Sequence, residues 1–229
     1  MKHGALGALM LLLAVQHAAA AVVGYDDRGA WAGAAGPTTL IDFEAFADGT
    51  IITNQLSGSG ISSVAGNAAP ARGGGPVDVY VTDSSSLPFP MFTAGMLPSE
   101  PNFLSIDLSR PHYATGSITF TFSAPQTAAG GFVADSAPVG DFTIEVFDEA
   151  ISLGSISVAP RTLPDSFVGI VSDQAFTSAV FRANDIDGDS WGLDNVELSS
   201  TVIPEPSTLA IWAGLGGIGL VVGWRRRRK

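Results

Sequence analysis

Between Leu40 and Leu198 the apolar residues come in short runs, never in long helical stripes. Ile118-Thr-Phe-Thr-Phe122 alternates with period 2, and Phe142-Thr-Ile-Glu-Val-Phe147 does so up to its last residue. That spacing puts every apolar side chain on one face of a strand. Further runs rich in Val, Ile, Phe and Thr predict strands at Leu40–Phe46, Val77–Thr82, Phe103–Leu108, Gly131–Ala134, Ile151–Val158, Phe167–Val171, Ala179–Ala183 and Leu193–Leu198. Clusters of Gly, Pro, Asp and Ser separate them, and Asp148-Glu149 reads as a hairpin turn. About ten short strands with turn signals between them predict an all-β, antiparallel β-sandwich or jelly roll over residues 40–200, long enough to bury a real core. Residues 57–101 are less regular: Ser57–Gly60 and Ala68–Pro76 read as loops, and four prolines lie between Ser84 and Pro101. The small-residue stretch 22–39 reads as a flexible leader.

The two ends carry a different pattern. Lys2, an apolar run from Ala5 to Val15 and the small residues Ala18 to Ala21 are the three parts of a secretory signal peptide, here 1–21, with cleavage expected after Ala20 or Ala21. At the other end, Leu209 to Trp224 is apolar throughout and is followed by Arg225, Arg226, Arg227, Arg228 and Lys229. Sixteen helical residues rise about 24 Å, against a hydrocarbon core of about 30 Å. Trp224 and the cations extend the reach into the headgroup layer, so 207–224 reads as a transmembrane helix with its basic tail, 225–229, on the cytoplasmic side. Both ends then put the body outside the cytoplasmic membrane. Gly214 to Gly219 matches the spacing GxGxxG, but no strand precedes it and the chain ends ten residues later. Those glycines are better read as one narrow face of the membrane helix.

Charge sharpens this division. The formal net charge is −11, yet five of the eleven basic residues are the last five. Between Val22 and Ile203 stand five arginines, no lysine and 21 acidic residues, a formal −16. Such a body lacks the basic face a nucleic-acid partner requires. The absence of Cys excludes disulfides, a thiolate zinc site and a cysteine nucleophile. Beyond the signal peptide His112 is the one histidine, in the loop-like Arg110-Pro-His-Tyr113, and no GxSxG elbow occurs. Paired carboxylates could hydrolyse glycosides, but among 21 acids some pair can always be drawn. Asp185-Ile-Asp187-Gly-Asp189 falls short of a calcium loop, because its sixth position is Ser190 and its twelfth Val196. As stacking platforms for sugars the body offers Trp31, Trp191, Tyr80, Tyr113 and Phe92, with Trp191 better read as core. No N-glycosylation sequon is present.

Pro204, Glu205 and Pro206, followed by the apolar segment and the arginine-rich end, resemble the PEP-CTERM sorting signal of Gram-negative bacteria over residues 202–229. The resemblance implies an exosortase-type membrane cysteine protease as partner, a membrane-anchored precursor, and a final place at the cell surface or in an exopolysaccharide matrix. The two prolines keep this stretch extended and outside the helix, where a protease can grip it. Asp42-Phe43-Glu44 with Asp48-Gly49-Thr50, Ser123-Ala-Pro125 with Gly130-Gly131, and Trp191-Gly-Leu-Asp-Asn-Val196 are similar, in that order, to ectodomains of this group and to carbohydrate-binding-module-like β-sandwiches. By that second resemblance Glu44 and Asp194 are the pair that would hold a structural Ca²⁺, an oxygen-only site suited to the acidic body. The expectation is therefore an exported, non-enzymatic surface or matrix protein, with a glycan-binding module as the alternative and a secreted hydrolase behind it.

Overall fold

The computed structural model describes residues 20–68, 75–83, 101–106, 116–135, 142–159, 166–183 and 191–201. The part of the expected signal peptide before residue 20, His112, the acidic run Asp185–Asp189, Pro204-Glu205-Pro206, the expected transmembrane helix 207–224 and the tail Arg225–Lys229 lie outside the described residues. Among the described residues no helix is long and apolar enough to cross a membrane.

Among the described residues eleven strands and one α-helix follow in the order β1 (Val22–Tyr25), α1 (Arg28–Ala35), β2 (Thr39–Ile41), β3 (Ile61–Ala68), β4 (Gly75–Val77), β5 (Val79–Asp83), β6 (Asn102–Ile106), β7 (Gly116–Asp135), β8 (Phe142–Asp148), β9 (Ile151–Val158), β10 (Phe167–Ala183) and β11 (Trp191–Ser199). Every pairing between them is antiparallel. The chain is thus all-β, as its short alternating runs predict.

The short runs are not all separate strands. Ile118–Phe122 and Gly131–Ala134 belong to one strand of 20 residues, β7, and Phe167–Val171 and Ala179–Ala183 to one of 17 residues, β10. Each long strand works in two places. Residues 116–122 of β7 lie between β3 and residues 178–182 of β10, which in turn pair with β8 and so with β9. Residues 128–135 of β7 lie between β11 and residues 167–171 of β10, whose other edge carries β1. Between the two halves the register slips at Val171–Phe176 and again at Phe176–Ser178. Bulges of this kind bend a strand and raise its twist. One hydrogen-bonded sheet is doubled over at these bends, and Pro125, which could not donate to a ladder, stands at the fold.

Doubling over creates the two layers. Ile118, Phe120, Ile144, Val146, Ala179 and Phe181 from one half and Val81, Leu104, Val133, Ile170, Leu193 and Val196 from the other belong to a single buried cluster. The β8–β9 hairpin follows the sequence closely: β9 has the expected bounds, Asp148 pairs with Ile151, and Glu149 takes the left-handed φ of 53° that a tight turn demands. β3 was hidden, since Ile61-Ser-Ser-Val-Ala-Gly-Asn-Ala offers little apolar mass, and β4 begins within the expected loop 68–76.

Residues 22–39, expected as a flexible leader, are instead part of the fold. β1 extends the sheet beside β10, with Val22 opposite Ser172 and Tyr25 opposite Gly169. Asp27 starts α1 by accepting from the Ala30 amide at 2.7 Å, and Gly36, with φ of 75°, ends it. Trp31 and Ala35, one turn apart, face the sheet and are 0% and 1% exposed. A second cluster of Trp31, Ala35, Ala128, Phe167 and Val171 thereby covers the outer side of β7 and β10.

Candidate functional site

Both acidic side chains that are buried among the described residues lie on β11. Its alternation puts Leu193, Val196 and Leu198 in the core, but it also buries Asp194 and Glu197, at 0% and 1% exposure. A carboxylate so far from water is stable only with polar partners. The two acids meet that need differently.

Glu197 is held by the N-terminal segment. Both of its oxygens face the Arg28 guanidinium: Nε approaches Oε1, and an Nη donates to Oε2 at 3.1 Å. Thr38 donates its hydroxyl to the same Oε2 at 2.9 Å. Arg28 opens α1 and Thr38 follows it, so one buried carboxylate ties down both ends of the helix. The hydrogen bond to Glu197 raises the Arg28 pKa above its ordinary value, with partial burial opposing and Coulomb attraction adding to it. Two residues on, Ser199 donates to the Ala35 carbonyl at 2.7 Å, satisfying a free carbonyl in the last turn of α1. Neither partnership is visible in the sequence, where residues 28 and 197 are far apart. The N-cap Asp27, the C-cap Gly36 and the i, i+4 pair Trp31/Ala35 are the signals that could have found the helix.

Asp194 sits at a bulge. The β11–β7 register slips between Asp194 and Glu197, and Asn195 takes a left-handed φ of 48°. The Asn195 amide turns back to donate to Asp194 Oδ1 at 2.7 Å. On its other edge β11 pairs with β6, Leu193 standing opposite Leu104. Glu44 reaches the same strand from the loop after β2: its Oε1 accepts from the Asn102 amide at 3.2 Å, while the Asn102 side chain donates to the Phe46 carbonyl at 3.1 Å. Asp48 accepts from the Asp83 amide at 3.0 Å, and Asp83 faces Asn102 across the β5–β6 ladder. The structure therefore places Glu44, exposed, in the loop after β2 with its carboxylate on the first residue of β6, and Asp194, buried, on the neighbouring β11. Among the described residues no group of three or more His, Cys, Asp or Glu side chains is placed to hold a metal. A calcium here would have to complete its six to eight oxygens from Glu44, Asp194 and backbone carbonyls.

Of the aromatic candidates, Trp191 is 2% exposed and packs edge-on against Phe142 at 5.0 Å, so it is core. Among the described residues its indole nitrogen has no hydrogen-bond partner. Trp31 is equally unavailable as a sugar platform, and Tyr80 is half-buried in β5. Phe92 and Tyr113 lie outside the described residues.

Comparison with protein families gives no match, and comparison with curated proteins gives none. Among solved structures, the K2 cleaved adhesin domain of Lys-gingipain is 13% identical, with a TM-score of 0.46, covering 71% of this chain and 99% of that domain. A variant of CBM29-2, a family 29 carbohydrate binding module, is 15% identical with a TM-score of 0.28, covering 44% of this chain and 77% of the module. The catalytic domain of a GH87 alpha-1,3-glucanase in complex with nigerose is 15% identical with a TM-score of 0.29; the match takes in 44% of this chain and 23% of the glucanase chain. The structural neighbours of this chain thus include an adhesin domain and a carbohydrate-binding module, each similar to it only in part.

Proposed function

We propose that the chain is an exported, non-enzymatic protein of the cell surface or extracellular matrix of a Gram-negative bacterium, delivered as a membrane-anchored precursor and sorted through Pro204-Glu205-Pro206 by an exosortase-type protease. The observation that carries this reading is the order of parts over residues 202–229: two prolines around an acid, an apolar segment, five cations. The topology of the body supports it. Ala21 is bonded to Asp173, next to the Val22–Ser172 pair, and Thr201 accepts at its carbonyl from Thr127 at 2.6 Å. Ala128 pairs with both Val171 and Ser199, so the two chain ends leave the body at the same end of the sheet. They are three strand spacings apart, about 14 Å. A precursor held by an N-terminal and a C-terminal membrane segment needs both exits on one side, and this body provides them.

The test follows the full chain in an exporting host that carries an exosortase. Replacing Pro204 and Pro206 by Ala is expected to leave a larger, membrane-retained species in place of the processed one. Equal processing of the variant and the unmodified chain overturns the sorting role.

The body's contribution to such a role is adhesive or structural. A −16 body repels anionic polysaccharide unless divalent cations stand between them. In this reading exopolysaccharide is the partner and calcium, at Glu44 and Asp194, the bridge or staple. A glycan array with and without calcium tests it: one strong ligand in either condition favours the glycan-binding alternative over a general matrix role.

A further inference from the structure

We propose that export cleaves the Ala20–Ala21 bond and that the new α-ammonium of Ala21 forms an ion pair with Asp173, so that processing itself fastens the first strand of the fold. The inference rests on the export reading above. Hydrolysis of that bond, with water as co-reactant and a signal peptidase of the exporting cell as catalyst, leaves a carboxylate on Ala20 and an ammonium on Ala21.

The geometry is reciprocal. The Ala21 nitrogen donates to Asp173 Oδ1 at 2.8 Å, and the Asp173 amide donates back to the Ala21 carbonyl at 3.1 Å. Immediately beyond, Val22 enters the β1–β10 ladder opposite Ser172. In the precursor the Ala21 nitrogen is an amide and can offer one proton to the carboxylate. In the processed chain it is a cation at the same place, and the contact becomes an ion pair charged on both sides, which shortens and strengthens it. Both candidate scissile bonds suit a signal peptidase, since Ala18, Ala19, Ala20 and Ala21 are all small. The fold separates them. Cleavage after Ala21 would carry away the nitrogen and the carbonyl that Asp173 holds, whereas cleavage after Ala20 keeps both and adds a charge.

The strand concerned needs a clasp. β1 has four residues and one ladder partner, β10, and two of those residues are exposed. Beyond the ladder, Tyr25 packs on the Trp31 cluster and the strand touches β9: Gly24 lies so close to Ile156 and Val158 that a Cβ there would stand 2.8 and 2.9 Å from them, and Val22 packs on Gly154 in the same way. β1 therefore closes the seam between the two layers, and its first residue is where it would fray.

The lysine distribution makes the test clean. Lys2 leaves with the signal peptide and Lys229 is the only other lysine, so acetylation of the processed protein reaches the α-amino group and, if the tail is retained, Lys229 alone. The full chain is exported, its N-terminus is read by intact mass, and hydrogen exchange is followed in a peptide spanning Val22–Tyr25. An N-terminus at Ala21 is expected. Acetylation and Asp173→Asn are each expected to speed β1 exchange roughly two- to five-fold, the range of an exposed ion pair, and the two together to do no more than one alone. An N-terminus at Val22 overturns the proposal while leaving export intact, and retention of Met1 overturns the export reading as well. With Ala21 confirmed, unchanged exchange after acetylation, or effects of the two changes that simply multiply, also overturns it. The acetylation arm needs no substitution, so it stands even if the Asp173 variant misfolds.

Discussion

On the inner face of the β7–β10 pair, large rings meet large rings: Phe120 packs on Phe181 at 5.7 Å and Phe122 on Phe176 at 5.8 Å. On the outer face of the same two strands, the rings of Trp31 and Phe167 lie on glycine. Gly169 and Gly130 stand opposite each other in the ladder, and a Cβ on Gly169 would be 2.6 Å from Trp31 and 2.8 Å from Phe167. A Cβ on Gly130 would be 2.5 Å from Phe167. Trp31 thus settles against bare backbone, donates its indole N–H to the Ile170 carbonyl at 3.1 Å, and stacks at 51° on Phe167. The inner face is made by complementary bulk and the outer face by its removal. A bulky strand can exclude water with many partners, while a glycine pair accepts one particular ring and is spoiled by a single methyl. At about 200 Å² for such a ring, the gross gain on the outer face is roughly 5 kcal/mol.

The sharpest way to separate the faces is to empty each one. Phe181→Ala, at a fully buried inner position, is expected to destabilise the whole body by about 3–5 kcal/mol, seen as a lower denaturant midpoint for every probe. Trp31→Ala removes a comparable volume, but its loss should fall first on α1 and β1: hydrogen exchange there should rise more than in β8 and β9. Uniform acceleration across the sheet would show that the outer layer is not a separable cover.

Filling the glycine floor is the next largest test. Gly169→Ala should cost about 1–3 kcal/mol by overpacking against Trp31 and Phe167. Gly131→Ala, next in the chain to Gly130 but with its nearest neighbours at 3.4 Å or more, should cost less than 1 kcal/mol. Equal effects in a chemical denaturation series would break the contrast.

The polar tie comes third. Arg28→Ala leaves the Glu197 carboxylate buried with Thr38 as its remaining side-chain donor, and about 1–2 kcal/mol should be lost. Glu197→Gln in the same background should recover part of it, because the uncompensated charge is gone; a further loss would count against the pair. The smallest expected effect is calcium. If Glu44 and Asp194 share an ion, the melting temperature should rise by a few degrees with calcium over chelator, and Asp194→Asn should abolish that rise. No shift would remove calcium from the account.

What could be read from the chain and what could not follows the range of the interactions. Period-2 alternation located β8, and a short run of apolar residues after a turn signal located β9, because each pattern is complete within seven or eight residues. The joining of Ile118–Phe122 to Gly131–Ala134 was not legible, since the break at Ser123-Ala-Pro125 looks like a turn in sequence. Only the bulged pairing with β10 shows that the strand continues into the other layer. Glu44 and Asp194 were named from short words of sequence, but the place of Glu44 against Asn102, at the start of β6, depends on the loop after β2 docking there.

Residues 22–39 show the same limit from the other side. Small residues there suggested slack chain, because sequence records the size of a side chain and not the surface offered to it. The sequence by itself determined the strand-rich class, the acidic body and the two basic-flanked apolar ends, all properties of composition and local period. The tertiary structure alone decided that the body is one sheet doubled over, that Trp31 is core, that Glu197 binds the helix, and that Ala21 lies against Asp173. Those facts turn on contacts between residues far apart in the chain, and no local pattern encodes a partner some 150 positions away.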